Sequence, residues 1–183
     1  MDIVSRVKNI LVDPRHEWGV IDGEPDTPVD ILKSYVAIVA AIPPVCGFIG
    51  TSIIGIAGYR VGFLAGLIGA IIHYVLTLVG VFVMAFIIDA LAPTFGGTKN
   101  FDKAFKVAAY SATAAWVAGV FTLIPVLSVL TILGLYSFYL LYLGLPLLMR
   151  APPDKALGYV IAVIVAAIIV SLLIFWLPAR MII

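Results

Sequence analysis

Long runs without a charged side chain alternate along this chain with short charged segments. Such runs fill residues 35–59, 61–88, everything between Lys106 and Arg150, and residues 156–179. About 20 apolar residues in helical form cross the roughly 30 Å hydrocarbon layer of a bilayer, and the third run has room for two crossings. Pro125 divides it, because proline offers no N–H to a continuing helix. The pattern predicts an all-α integral membrane bundle of five transmembrane helices, over residues 35–57, 61–88, 107–124, 126–149 and 156–177. These form a membrane domain, 35–179, followed by a short tail, 180–183. Pro43-Pro44 interrupts the first helix with a kink or a break. A helix over 61–88 would be roughly 42 Å long at about 1.5 Å per residue, so it must tilt, bend or protrude.

Residues 1–34 read as a cytoplasmic segment. Ile3, Val4, Val7, Ile10 and Leu11 recur at three- and four-residue spacing around Arg6 and Lys8, which describes a short amphipathic helix ending before Pro14. It lies either on the membrane surface or docked on the bundle. From Arg15 to Asp30 the chain is polar and carries Gly23, Pro25 and Pro28, the residues of an acidic, looped lead-in. Trp18 and Ile21 are its apolar exceptions, suited to anchoring it to the bundle, the interface or a partner. No apolar signal-peptide core precedes the first crossing, so the start is expected to be retained.

Composition agrees with a lipid solvent. The chain is 63% hydrophobic, against about 45–50% for soluble domains, with mean hydropathy +1.20. A net charge of +1 leaves no basic field for nucleic acid. The basic residues are distributed unevenly. Arg6, Lys8, Arg15, Lys33, Lys99, Lys103, Lys106, Arg150 and Lys155 fall on one side of the predicted crossings, and only Arg60 and Arg180 on the other. By the positive-inside rule the N-terminus is cytoplasmic and the C-terminus extracytoplasmic. The lysines and arginines before the third and fifth crossings either face anionic headgroups or act as topology signals alone. The lone Cys46 excludes an internal disulfide.

Helices pack closely in lipid where small residues let backbones approach. Three ridges have four-residue spacing: Gly58, Gly62, Gly66 and Ala70; Ser111, Ala115 and Gly119; Gly158, Ala162 and Ala166. They predict close faces within the monomer or between copies.

Candidate chemistry is sparse. His16-Glu17 begins like a zinc-hydrolase motif, but position 20 is Val, so the second histidine is missing. His16, Glu17, Asp22 and Glu24 are weak candidates for a hard-cation site; a solvated acidic loop is the expectation, with no metal. His73 falls near mid-bilayer, where an ionisable group is either functional or hydrogen-bonded between helices. Asp89 does not share its helical face. Tyr136, Tyr139 and Tyr142 either line a polar cavity together with His73 or satisfy their hydroxyls on neighbouring backbone. Phosphate loops, a Ser-His-Asp set and Cys-His metal spacings are absent, so no catalytic activity and no cofactor are expected.

Phe95-Gly96-Gly97 followed by Phe101 and Ala104, then Leu140-Leu141-Tyr142-Leu143-Gly144-Leu145-Pro146, Pro152 and Lys155-Ala156-Leu157-Gly158-Tyr159, form an ordered set with Pro14, Trp18, Ile21 and Glu24 near the start. In order, spacing and number of crossings they resemble the prokaryotic branch of the Yip family, five-span membrane proteins named for interaction with Ypt/Rab GTPases. The resemblance covers nearly the whole chain and is most specific from Phe95 to Tyr159. It implies a helical bundle in the cell membrane with a cytoplasmic N-terminus and no known catalytic activity. Eukaryotic relatives bind prenylated Rab GTPases or other Yip proteins and help shape vesicles. Their signature Asp-Leu-Tyr-Gly-Pro is missing here, so the resemblance does not carry Rab-type GTPase binding over. The expected function is a non-enzymatic scaffold or adaptor, acting through helix packing and its cytoplasmic face on membrane lipids, on copies of itself or on other membrane proteins. The rival is a small transporter or channel using the Pro43-Pro44 break and His73.

Overall fold

The structure is a computed structural model describing residues 2–55 and 59–181, with 171–181 described as backbone alone. Among the described residues, five helices are long and apolar enough to cross a membrane. Two short ones precede them: α1 (Ile3–Val12) and α2 (Pro14–Gly23). The crossings are α3 (Pro28–Ile54), α4 (Phe63–Phe95), α5 (Phe101–Leu123), α6 (Pro125–Leu148) and α7 (Ala156–Met181). Of the apolar window of α5, 72% is buried, against 11–28% for the other four, so α5 is the axis around which they gather.

Local chemistry sets the helix starts. Asp2 caps α1 by accepting from Ser5 N at 3.3 Å, and Asn100 caps α5 by accepting from Lys103 N at 3.0 Å. Thr27 and Asp30 form a capping box with Pro28 in the first turn, which starts α3 ahead of the apolar run. Ile124 alone, in extended conformation, separates α5 from α6, and Pro125 opens the new helix.

α3 is broken where the two prolines fall. Ala40 and Ala41 make a turn and the helix restarts at Ile42. Pro43 and Pro44 then occupy the first turn, where a missing N–H leaves nothing unpaired. α4 is the longest of the described crossings. Its α-helical part alone has 29 residues, roughly 43 Å at about 1.5 Å each. Its far end is held along α5 by Phe82 on Phe105 (ring centroids 4.9 Å) and Phe86 on Phe101 (4.8 Å).

The segment after Pro14 differs from the expected loop. Asp13 ends α1 and starts α2, its carboxylate accepting from His16 N at 3.5 Å with Pro14 next in line. A proline read as a helix stop is here also a helix start. Pro14, Glu17, Trp18 and Ile21 fall on one face of α2 and are buried. α1 docks on the bundle: Ile10 is buried, Ile3, Val7 and Leu11 pack on the core, and Val4 and Val12 face outward. One hydrophobic core includes Ile10, Trp18 and Ile21 with Tyr35, Phe105, Leu140, Leu145 and Tyr159. The first residues are thus part of the bundle's packing.

The starts of α3, α5 and α7 and the ends of α4 and α6 lie at one end, called here the charged end, where the α1–α2 hairpin packs on α5 and α6. The opposite half presents bare apolar walls, among them Phe63, Leu64, Ile68 and Ile72 of α4 and Val126, Val129 and Ile132 of α6. Such a surface is matched to hydrocarbon.

Candidate functional site

The polar groups of the charged end are organised around Arg6. It lies on the inward face of α1 with 4% of its surface exposed. Its Nη1 donates to Glu17 Oε1 at 2.6 Å, and Nη2 pairs with Glu24. The guanidinium carbon sits 5.5 Å from the centroid of the Tyr110 ring, a cation–π contact. Burial acts to lower the pKa of Arg6, but the hydrogen bond and charge of Glu24, with Tyr110 and Glu17, leave it raised, so the group stays charged. A buried pair of this kind holds geometry: removing one partner strands the other charge.

α5 supplies two lysines. Lys106 Nζ donates to the carbonyl oxygens of Ile21 (2.9 Å) and Glu24 (2.5 Å) at the end of α2. These carbonyls form the negative pole of that helix, so a cation there satisfies both hydrogen bonds and dipole. Lys103 pairs with Asp22 Oδ1 at 2.6 Å. Trp18 fills the space above Gly144 of α6, where an added Cβ would lie 2.7 Å from Cζ2 of the indole. Its edge meets Tyr110 (centroids 6.4 Å). Tyr35 shares a hydrogen bond of 2.8 Å with Thr113, and Tyr136 donates to the Leu11 carbonyl at 3.2 Å.

This overturns the solvated acidic loop. Glu17 and Glu24 are held by Arg6, Asp22 by Lys103, and His16 is exposed on the other face of α2. These four do not form a ligand set, and among the described residues no group of three or more His, Cys, Asp or Glu is placed to hold a metal. Lys106 is buried and Lys103 ion-paired, so neither faces headgroups. Lys8, Arg15, Lys33, Lys99, Arg150 and Lys155 are exposed. The helical spacing of Pro14, Glu17, Trp18 and Ile21 was the signal for α2, masked by its low apolar content.

His73 is exposed and lines a cleft of about 380 Å³ that also takes in Pro43, Pro44, Thr51, Gly66 and Thr122. Sequence reasoning paired His73 with Tyr136 and Tyr139 in one polar cavity. That cavity does not form, because Tyr136 turns to α1 and neither tyrosine reaches this cleft. The hydroxyls of Thr51 and Thr122 bond their own helices, at Gly47 O (2.8 Å) and Gly119 O (2.7 Å).

The small-residue positions divide. Gly66 lies against the Ser52 side chain, and a Cβ on Gly119 would meet Pro43 Cγ at 2.6 Å, so α4 and α5 both press on α3 there. Gly62 has open space beside it, and Gly158 meets Phe95 at ordinary contact distance, 3.4 Å. Ser111 is buried and bonded to Val107 O; Ala115 is exposed, and Ala162 and Ala166 are half-buried. Gly58 lies outside the described residues. Gly144, under Trp18, and Gly134, whose Cβ would come 3.0 Å from Ala115 Cα, are close approaches that the four-residue ridges missed.

The Yip1 domain model matches residues 8–175, from α1 into α7. The chain belongs to the Yip1 domain family. It is 29% identical over 165 residues to the inner membrane protein YohC of Escherichia coli strain K12, covering 85% of both chains, and equally to YohC of Escherichia coli O6:H1 strain CFT073. No solved structure matches it. The residues that carry the Yip likeness converge at the charged end. Phe95 stacks on Tyr159 (centroids 5.0 Å, planes 9° apart), whose hydroxyl donates to Ile88 O. Gly96 adopts φ +75° beside Pro152, a conformation glycine takes without a steric penalty. A Cβ on Gly97 would lie 2.7 Å from the Met149 carbonyl, which Thr98 N reaches at 2.8 Å. These contacts tie the α4–α5 loop to the α6–α7 loop, beside the Trp18–Gly144 contact.

Proposed function

We propose that this Yip1-family protein is a non-enzymatic scaffold of the inner membrane, with its charged end in the cytoplasm and its C-terminus outside. There it presents a rigid face, with outward lysines and arginines beside outward aspartates, to headgroups and to partner membrane proteins. The carrying observation is how the charged end uses its polar groups: Arg6, Lys103 and Lys106 are consumed in fixing the hairpin to α5, and Lys8, Arg15, Lys33, Lys99, Arg150 and Lys155 remain outward. Internal polar groups so committed hold shape; each outward lysine or arginine adds roughly 1 kcal/mol near an anionic surface, set against the repulsion of the outward Asp2, Asp13, Asp26, Asp30, Asp102 and Asp154. The excess of basic residues at this end supports its cytoplasmic placement, and the name of the YohC relatives supports the inner membrane.

The test is affinity purification from native membranes of wild type and of a Lys8→Glu/Arg15→Glu variant. A partner protein should co-purify with wild type and fall at least about tenfold in the variant; a wild-type monomer with neither partner nor ordered lipid contradicts the reading. A C-terminal alkaline phosphatase fusion should be active, whereas a fluorescent GFP fusion there contradicts the orientation.

A second reading, a small transporter or channel, draws on the cleft where His73 faces the Pro43-Pro44 break. Ion or proton flux in proteoliposomes that disappears with His73→Ala would replace the scaffold reading.

A further inference from the structure

The α1–α2 hairpin carries polar groups far down the side of the bundle. α1 packs on Thr113–Ala118, in the later half of α5, and its Leu11 carbonyl accepts the hydrogen bond of Tyr136. Tyr136 opens the 13-residue α-helical part of α6. The turn between α1 and α2 therefore lies roughly 18 Å inward from Leu148, at about 1.5 Å per residue. Around that turn Lys8, Val12, Asp13, Arg15 and His16 are all exposed.

The apolar wall on this side is short. On α6 it runs through Val126, Val129, Ile132 and Leu135 in 3₁₀ conformation, which gives roughly 20 Å before Tyr136 at about 2.0 Å per residue. α6 meets the hairpin and α7 both, and α7 in turn meets α4. On that far side the wall is long: Phe86, Leu157 and Ile161 are exposed and carry it to the charged end. From Phe63 to Phe86 along α4 is roughly 35 Å at about 1.5 Å per residue. A hydrocarbon layer of roughly 30 Å fits the second length and not the first.

A level membrane surface fails at either height. Set at the hairpin turn, it leaves Phe86, Leu157 and Ile161 in water. Set at the start of α7, it puts Lys8, Asp13 and Arg15 at hydrocarbon depth, where charges persist by thinning the bilayer and drawing water in beside them. The tyrosines identify the boundary met at the turn. Tyr139 packs on Tyr136 (ring centroids 5.3 Å) and, like Tyr142, is exposed on α6, as amphipathic rings are at the headgroup level.

We infer that the α1–α2 turn is a headgroup-binding surface: on the hairpin side, phospholipid headgroups descend to Lys8, Asp13 and Arg15, and the bilayer is roughly 10 Å thinner there than beside α4 and α7. The mixed signs at the turn match a headgroup that carries both, with phosphate toward the basic side chains and ammonium toward Asp13. The inference deepens the scaffold reading by naming the lipid surface that the hairpin meets. It takes from that reading only which leaflet is thinned.

The experiment places a bimane fluorophore at Val12→Cys or Ile161→Cys in a Cys46→Ser background; both positions are exposed, and helical circular dichroism matching wild type qualifies each protein. The proteins are reconstituted into vesicles of phosphatidylethanolamine and phosphatidylglycerol containing phospholipid with a nitroxide quencher either on the headgroup or on the acyl chain. At Val12 the headgroup nitroxide should quench at least about threefold more than the chain nitroxide, because charges at this depth bring the interface to them. At Ile161 the order should reverse, although Ile161 lies nearer the charged end. Headgroup quenching dominant at both positions overturns the inference and sets a level surface at the turn. Chain quenching dominant at both overturns it and places the hairpin in hydrocarbon, and a Val12 probe that neither lipid quenches overturns it by taking the turn out of lipid contact. The quenchers occupy both leaflets, so the result does not depend on which end is cytoplasmic. The fusion and co-purification tests therefore fail separately from this one.

Discussion

The two halves of this bundle solve the problem of polar groups in opposite ways. At the charged end, Arg6, Glu17 and Lys106 are buried and bonded from one element to another, Arg6 to Glu17 between neighbouring helices and Lys106 to the distant end of α2. In the opposite half the polar side chains are few, and Thr51, Thr77 and Thr122 bond carbonyls within their own helices. The first arrangement fixes one tertiary structure, because each charge has a single place to go. The second lets helices meet through shape alone, with Gly66 and Gly119 setting how closely they approach. Stability should accordingly be concentrated at the charged end.

The sharpest way to break this contrast is Arg6→Ala. It leaves Glu17, 1% exposed, without its partner, and should cost about 3–5 kcal/mol in thermal unfolding in detergent micelles. Arg6→Met combined with Glu17→Leu should recover part of that loss, because Glu17 is then no longer stranded while Glu24 still loses its partner. If the double variant is as unstable as the single one, the pair is more than a geometric lock.

Trp18→Ala empties the space above Gly144 and should cost about 3–5 kcal/mol, with Gly144→Val producing a smaller loss of about 1–3 kcal/mol by overpacking the same contact. Lys106→Met removes the donor to Ile21 O and Glu24 O and should cost about 1–3 kcal/mol. At the small end, His73→Leu should shift stability by less than about 0.5 kcal/mol, as is usual away from packed or bonded features, because the ring is exposed in an open cleft. A large loss at His73 would move weight to the opposite half and to the transporter reading.

Five crossings were legible because the lipid solvent writes itself into sequence as charge-free runs, and Pro125 and Pro43-Pro44 mark helix starts through their missing N–H. The start of α3 at Pro28 was harder to see, since the Thr27–Asp30 capping box outweighs the polar character of that stretch. The hairpin was half legible. α1 carries a clear apolar period, whereas α2 mixes Trp18 and Ile21 with a buried glutamate and so resembles a polar loop. Partners across long sequence separations were not legible at all: nothing local in Lys106 indicates that its ammonium meets carbonyls at Ile21 and Glu24. Similarly, Gly144 carries no ridge spacing, and only the arrival of Trp18 explains it.

The most direct test of the central claim, that the α1–α2 hairpin is an integral, locked part of the bundle, is hydrogen–deuterium exchange of the protein in lipid nanodiscs. The amides of α2, Pro14–Gly23, should be protected on the same timescale as those of Phe101–Ser111 in α5, and both should lose protection together in Arg6→Ala. Exchange of α2 within seconds, while α5 stays protected, would show a solvated lead-in and contradict the account.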